Sequence, residues 1–491
     1  MRWLTSFAFL LSMAAQAAIG PDDARHLLNR AGFGATPHEI AEYALLTRAE
    51  AVDRLLAGTR KTATTPAPAW VREPITPPRA LRNASPEERR AFQAQEIRRG
   101  FDLRTWWIAE MLGTPSQLTE RMTLFWHNHF VSSQQKVRYT RLMYEQNVLL
   151  RRHAIGNFGD LLHAAAKDPA MILYLDSASN RKGKPNENFA REVMELFTLG
   201  EGRYTERDVR EAARAFTGWS LDLDTGAFVF RKMLHDDGPK TVLGRTGSYD
   251  GDAVLDLLLA QPGTAEFVVA KLWREFVSPE PDPEAVKRIA ARFRGARYDL
   301  KVALREIFLS QAFWAPESRG ALIKSPIDLV VGTLRALDFR VGDPLPLALV
   351  VAGLGQNLFS PPNVKGWPGG EAWINSSTLL ARKQFAERVF RADEMPRAAM
   401  TDMNRRGGDA DLARVRGFGQ MGEAGRERFV RALYEIQFDP QRWLGQFGGA
   451  VTQADMTQAL LARDPVNALP MEANPRETIQ RIALDPVYQL K

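Results

Sequence analysis

The chain has 491 residues, 45% hydrophobic and 25% charged, a balance that supports a large buried core. It contains no cysteine, which excludes disulfides, thiolate catalysis, Cys-ligated zinc or iron–sulfur sites and a lipoprotein anchor. The net charge of +7 comes from bases scattered among many acids, as on ordinary solvated helix faces. This speaks for an anionic polymer or a membrane surface as partner, and against nucleic acid.

The chain opens with the features of a Sec-type signal peptide: Met1-Arg2, the apolar stretch Leu4 to Ala15, then Ala15-Gln16-Ala17. Cleavage is expected after Ala17 or Ala18, giving a periplasmic or secreted protein. No later run of about 18 apolar residues suggests a membrane span. Thr36-Pro37-His38-Glu39 and Thr47-Arg48-Ala49-Glu50 are capping boxes that open helices. Residues 60–80, rich in Thr, Ala and Pro, read as a loop or linker. Helical periodicity resumes near Pro86 and runs, with breaks, to about Phe216.

Within that stretch, a helix over Gln117–Val131 places Leu118, Met122, Phe125 and His129 on one apolar stripe. His127 falls opposite, near Glu120, and Asn128 lies beside Arg121. The two histidines cannot share one metal unless the helix ends between them. A second helix starts near Pro185 and Asn186. Its buried face is Phe189, Val193, Leu196 and Phe197; its polar face is Asn188, Arg191, Glu192 and Glu195. Glu192 and Glu195 stand one turn apart, close enough to share a cation or act as an acid/base pair, although a solvated helix face has the same pattern.

One β-hairpin is expected, with Ala227–Phe230 and Thr241–Leu243 flanking His235-Asp236-Asp237-Gly238-Pro239. That loop offers oxygen and imidazole donors to a divalent ion. Three helices, near 158–170, 298–313 and 477–488, end in similar polar–aromatic stops, from duplicated units or shared helix-ending chemistry. Residues 353–377, with Trp367 and Trp373 in a Pro/Gly setting, read as an ordered surface loop. Residues 396–491 read as a small helical C-terminal region. The fold class is therefore mainly α: a large helical domain with one small hairpin and long ordered loops. No Gly-x-Ser-x-Gly elbow, P-loop, dinucleotide-binding glycine motif or His-Glu-x-x-His is present.

Several segments together resemble the bacterial Domain of Unknown Function 1800 family. They are Ala24 to Gly34, Phe125-Trp126-His127-Asn128-His129-Phe130, Asp168 to Met171 with Tyr174-Leu175-Asp176, Asn186 to Glu192 with Glu195 to Gly200, and Ala212 to Trp219. His235-Asp236, Lys240 to Gly244 and Pro361 to Trp367 match as well. Val193 stands where the family usually has Leu. The resemblance covers about residues 22–395. It implies export and a genetic neighbourhood with exported proteins related to phosphatases and sulfatases, but no activity.

Three functions stand side by side. In the first, a cell-envelope enzyme performs metal-assisted hydrolysis or acid/base chemistry on an anionic or carbohydrate polymer. His129, Glu192 and Glu195 would catalyse; Asn128, Asn186, Asn188, Arg191, Lys365 and Trp367 would bind substrate; His129, Asp176, Glu192, Glu195 and His235 would hold a divalent metal. In the second, the chain is a non-catalytic binding or assembly partner of a phosphatase- or sulfatase-like protein, and the same residues form a buried structural network. In the third, His127 or His129 serves an iron or non-covalent haem oxidoreductase.

Overall fold

Thr and Ser caps reciprocated by an acid three residues on begin the helices Pro37–Ala44, Arg48–Ala57, Pro86–Gly113, Glu206–Ala215, Pro326–Ala336 and Gln453–Leu460. In the computed structural model, which describes residues 17–391, 423–469 and 474–491, these helices and others like them make a mainly α body with three two-stranded sheets. The expected leader lies outside the described residues but for Ala17, as does the start of the 396–491 region. Among the described residues, no single helix is long and apolar enough to cross a membrane.

The helix Gln117–His129 sits at the centre. Its expected stripe is buried at Leu118, Met122 and His129, but so are Glu120, Arg121 and His127 on the other side. The helix is enclosed all round instead of amphipathic, and its charges are paired. Glu120 takes a two-point ion pair from Arg151 (2.6 and 2.9 Å) and the indole N–H of Trp107 (2.8 Å). Arg121 meets Asp328, which also accepts from Lys491 (2.8 Å). Burial opposes the Asp328 charge, but the two cations outweigh it and hold the carboxyl well below its usual range.

Two hydrophobic cores flank this helix. Leu118, Met122 and Trp126 belong to one, with Phe158, Phe197, Leu272 and Phe308. Leu124 belongs to the other, where Trp107 and Ile327 meet Trp443, Ile479 and Tyr488 from the C-terminal segment. The 60–80 loop is tied down: buried Glu110 accepts from the backbone N–H groups of Thr64 and Thr65.

The β expectation needs correction. Phe228–Phe230 does not pair across the His235 loop; it pairs backward with Trp219–Leu221, and Lys240–Val242 pairs forward with Arg245–Gly247. Tight turns decide this. The Asp222 side chain accepts from the N–H groups of Asp224 and Thr225, while Leu243 and Gly244 both take positive φ (49° and 76°). A third pair joins Arg340–Val341 to Ile436–Gln437. The three similar stops share a local cause: Asp168, Ser310 and Asp485 each cap the short helix that follows, at Met171, Phe313 and Val487.

Candidate functional site

The central helix ends in three consecutive polar residues, and each holds main chain, two in the 353–377 loop and one in the segment around Phe197. The His127 Nε2 accepts the Phe359 N–H (3.2 Å). Asn128 accepts the Trp367 N–H at Oδ1 (2.7 Å) and donates from Nδ2 to the Trp367 carbonyl (3.3 Å). The His129 Nε2–H donates to the Phe197 carbonyl (3.1 Å). Both histidines are buried, with Nδ1 unpartnered among the described residues. His127 packs against Trp107, Phe359 and Trp367; His129 packs against Trp126, Phe130 and Phe197. Burial pulls the His127 imidazole down to about 3 and the His129 imidazole well below its ordinary value, so both are neutral. Trp367 and Trp373, expected in a surface loop, are buried and anchor it.

The second motif departs from an ordinary helix. The α-helical stretch Asn188–Glu192 passes into a π-helical turn, Val193–Thr198. Its wider ring shows in the Leu199 N–H to Met194 carbonyl bond (2.8 Å) and the Thr198 hydroxyl to Val193 carbonyl bond (2.6 Å). Phe189, Val193 and Phe197 are buried as expected, while Leu196 is only half-buried. The carbonyl that His129 caps lies at the end of this turn, where Gly200 (φ 84°) breaks the ladder.

On the solvent side of the π turn, Glu195 accepts from the Tyr204 hydroxyl (2.9 Å) and lies 3.7 Å from the Lys365 ammonium, which also reaches Glu201 (3.3 Å). Glu192 is within electrostatic reach of Glu195, Lys365 and Tyr174. Burial, then the Glu195 charge, raises the Glu192 carboxyl, against Arg191 and Lys365. Burial and the bond to Glu195 raise the Tyr204 phenol to about 12. Arg191 is clamped between Glu206 (2.7 Å) and Glu187 (3.3 Å), so it is not free to hold a substrate charge.

The remaining candidates stand elsewhere. Asp176, at positive φ (57°), pairs with Lys136 (2.6 Å). The Asn186 amide donates to the Asp176 carbonyl (3.2 Å) and the Ser179 hydroxyl (3.1 Å), and the Asn188 amide donates to the Leu175 carbonyl (3.2 Å). These amides knit one loop together; they are not presented to an anion. The His235 Nδ1–H donates to the Thr217 carbonyl (2.9 Å), and Asp236 and Asp237 are held by Arg214 and Lys182.

The structure thus brings Glu192, Glu195 and Lys365 together, and keeps His129, Asp176 and His235 apart from them. The expected convergence of these donors on one point does not occur: among the described residues, no group of three or more His, Asp or Glu side chains is placed to hold a metal ion. Tyr204 and Glu201 escaped the sequence reading. The signal for them was Gly200 and Gly202, both at positive φ (84° and 79°), which fold the chain back over Glu195.

Compared with known proteins, the chain matches one family model, described as Protein of unknown function (DUF1800), over residues 26–490. No curated protein and no solved structure matches it.

Proposed function

The chain belongs to the DUF1800 family, and from that premise we propose that it is an exported binding or assembly protein of the cell envelope whose polar motifs form a rigid frame. One observation carries this reading: the side-chain hydrogen bonds of His127, Asn128 and His129 all go to main chain, at Phe359 and Trp367 of the 353–377 loop and at Phe197 of the π turn. A catalytic or metal-holding residue presents its reactive atom to a cleft instead. Export rests on the charged, apolar and Ala-x-Ala order of the first 17 residues. A phosphatase- or sulfatase-like exported protein, or an anionic or carbohydrate polymer, is the partner class.

Elemental analysis combined with urea unfolding tests the frame. His129→Ala should lose about 2–4 kcal/mol of stability, from a cavity and a lost hydrogen bond, with no change in metal content. A stoichiometric metal that leaves a still-folded His129→Ala protein would overturn the reading.

A second reading keeps acid/base chemistry at the π turn, because two carboxylates, a tyrosine and a lysine meet there on an accessible face. It requires Glu195→Gln to abolish turnover of a carbohydrate polymer while leaving the melting temperature unchanged.

A further inference from the structure

Apart from the motif residues, an open cleft of about 800 Å³ lies between the helices Pro86–Gly113 and Leu345–Gly353 and the short helix Gln134–Val137. Its walls include Phe92, Ile97, Phe101, Val137, Tyr139 and Leu349. Ile97 is 45% exposed there. A cleft of this size accommodates a small organic molecule.

Arg104 also lines the cleft. Its Nε donates to Asn357 Oδ1 (2.8 Å) and the Leu358 carbonyl (3.1 Å), and its Nη2 donates to Gln134 Oε1 (3.0 Å) and Ser360 Oγ (3.2 Å). All four acceptors are neutral. Nη1 has no acceptor among the described residues. Gly100, one helical turn earlier, leaves room for these side-chain ends: a Cβ there would come within 2.4 Å of Gln134 Nε2 and 2.9 Å of Arg104 Nη1.

Arg104 is half-buried, and the buried arginines set a contrast. Arg121 and Arg151 each have a carboxylate, and Arg30 feels Asp328 and Glu275. Arg104 feels no neighbouring charge of either sign; burial alone pulls its guanidinium down to about 10. The one acid on the cleft wall, Glu96, is committed to Arg99 (2.9 Å) and the Thr140 N–H (2.6 Å). A partly desolvated cation without a counterion favours an anion that can reach its free nitrogen from the cleft.

We propose that this cleft binds a single-headed amphipathic carboxylate, a fatty-acid-like molecule whose head sits on Arg104 Nη1 and whose apolar body lies along the Phe92, Ile97, Phe101 and Leu349 walls. The fixed Nε and Nη2 bonds leave one nitrogen for the ligand, which suits a compact monoanionic head. The inference is independent of the frame reading, since a catalytic protein could carry the same cleft, and its failure leaves that reading untouched.

Titration calorimetry with dodecanoate, dodecanol and inorganic phosphate tests it on the full chain. Dodecanoate should bind at one site per chain, dodecanol about tenfold more weakly, and phosphate without measurable heat. Arg104→Gln should weaken dodecanoate binding by about tenfold or more. Because Arg104 also holds the 357–360 loop, Ile97→Glu is the companion variant: this exposed position places a carboxylate on the apolar wall without disturbing the core. It should weaken dodecanoate by a similar factor at an unchanged melting temperature. No binding of dodecanoate to the wild type, equal affinity for dodecanol, or wild-type affinity in Ile97→Glu overturns the proposal.

Discussion

Asp168 shows how much one side chain can say about pH. Its carboxyl is fully buried and accepts from the Met171 N–H (3.0 Å) and the Gln146 amide (2.7 Å). Burial outweighs those bonds and raises it to about 7. An unfolded aspartate titrates near ~4. The folded state therefore holds this proton over a range where the unfolded chain has lost it. The contribution is fully present below about pH 4 and is lost as pH rises through about 7, on the order of 4 kcal/mol in all. Asp168→Asn keeps the cap and the acceptor but removes the titration. It should be more stable than wild type at pH 8, with a flatter stability profile between pH 5 and pH 8 in thermal melts. A variant that follows the wild-type slope would dismiss this account. Asp168 was visible in the sequence only in a polar stop after a helix and in a family motif; its burial depends on the helix Thr140–His153 above it, which no local pattern encodes.

At the scale of the element, the join between the central helix and the 360–370 loop is the tightest fit in the motif network. Gly366 has φ of 83°, and a Cβ there would lie 2.2 Å from Asn128 Oδ1 and 2.9 Å from its carbonyl oxygen. Gly366→Ala should cost about 3 kcal/mol or more, from clash and backbone strain together. In an Asn128→Ala background the same change should cost about 1 kcal/mol less, because one of the two obstructing atoms is gone. Strict additivity in urea unfolding would show that the two residues do not meet. Helix starts were readable because a cap is a local contract between a hydroxyl and an acid three residues on, as at Thr36 and Thr47. The π turn was not, because α and π ladders use the same side chains, and the choice depends on His129 and Gly200 reaching the turn's end. Nor was the Arg104 cleft, which gathers residues near 100, 134, 349 and 357 that share no sequence spacing. The hairpin over 227–244 failed for a related reason: its two strands were real, but the tightest turns lay outside the loop between them.

The whole molecule keeps three imidazoles neutral in its interior. The His26 Nε2–H donates to the Phe313 carbonyl (2.8 Å), and burial pulls the imidazole down to about 2. His127 lies at about 3 and His129 well below its ordinary value, again from burial. Each unfolded imidazole takes up a proton below about pH 6.5, whereas the folded one does not. Stability should therefore fall as pH drops from about 6.5, by about 1.4 kcal/mol per pH unit for each ring until its folded value is approached. The Asp168 contribution runs the other way but is a single group, so three rings dominate. Equilibrium urea unfolding at pH 6.5 and at pH 4.5 measures the difference; equal stability at both would mean that the rings are not buried neutral. The two cores share the central helix, so both should lose structure together in acid, as one transition by circular dichroism and tryptophan fluorescence.

Late segments close on early ones. Arg25 donates to the Leu461 carbonyl, 436 residues away, and Lys491 closes on Asp328 while its backbone pairs with Leu322. Contacts of such high contact order cannot form while a chain is still being made from its N-terminus. In the helix Gly20–Ala31, Leu27 and Ala31 pack into the core formed by earlier segments, but Ala24 and Arg25 stay uncovered until the segment around Leu461 appears. A chain whose last closures need its C-terminal segment reaches its full stability late, and an incompletely closed polypeptide is easier to thread through a narrow translocation pore. Late closure and the export proposed above therefore make compatible demands on one sequence.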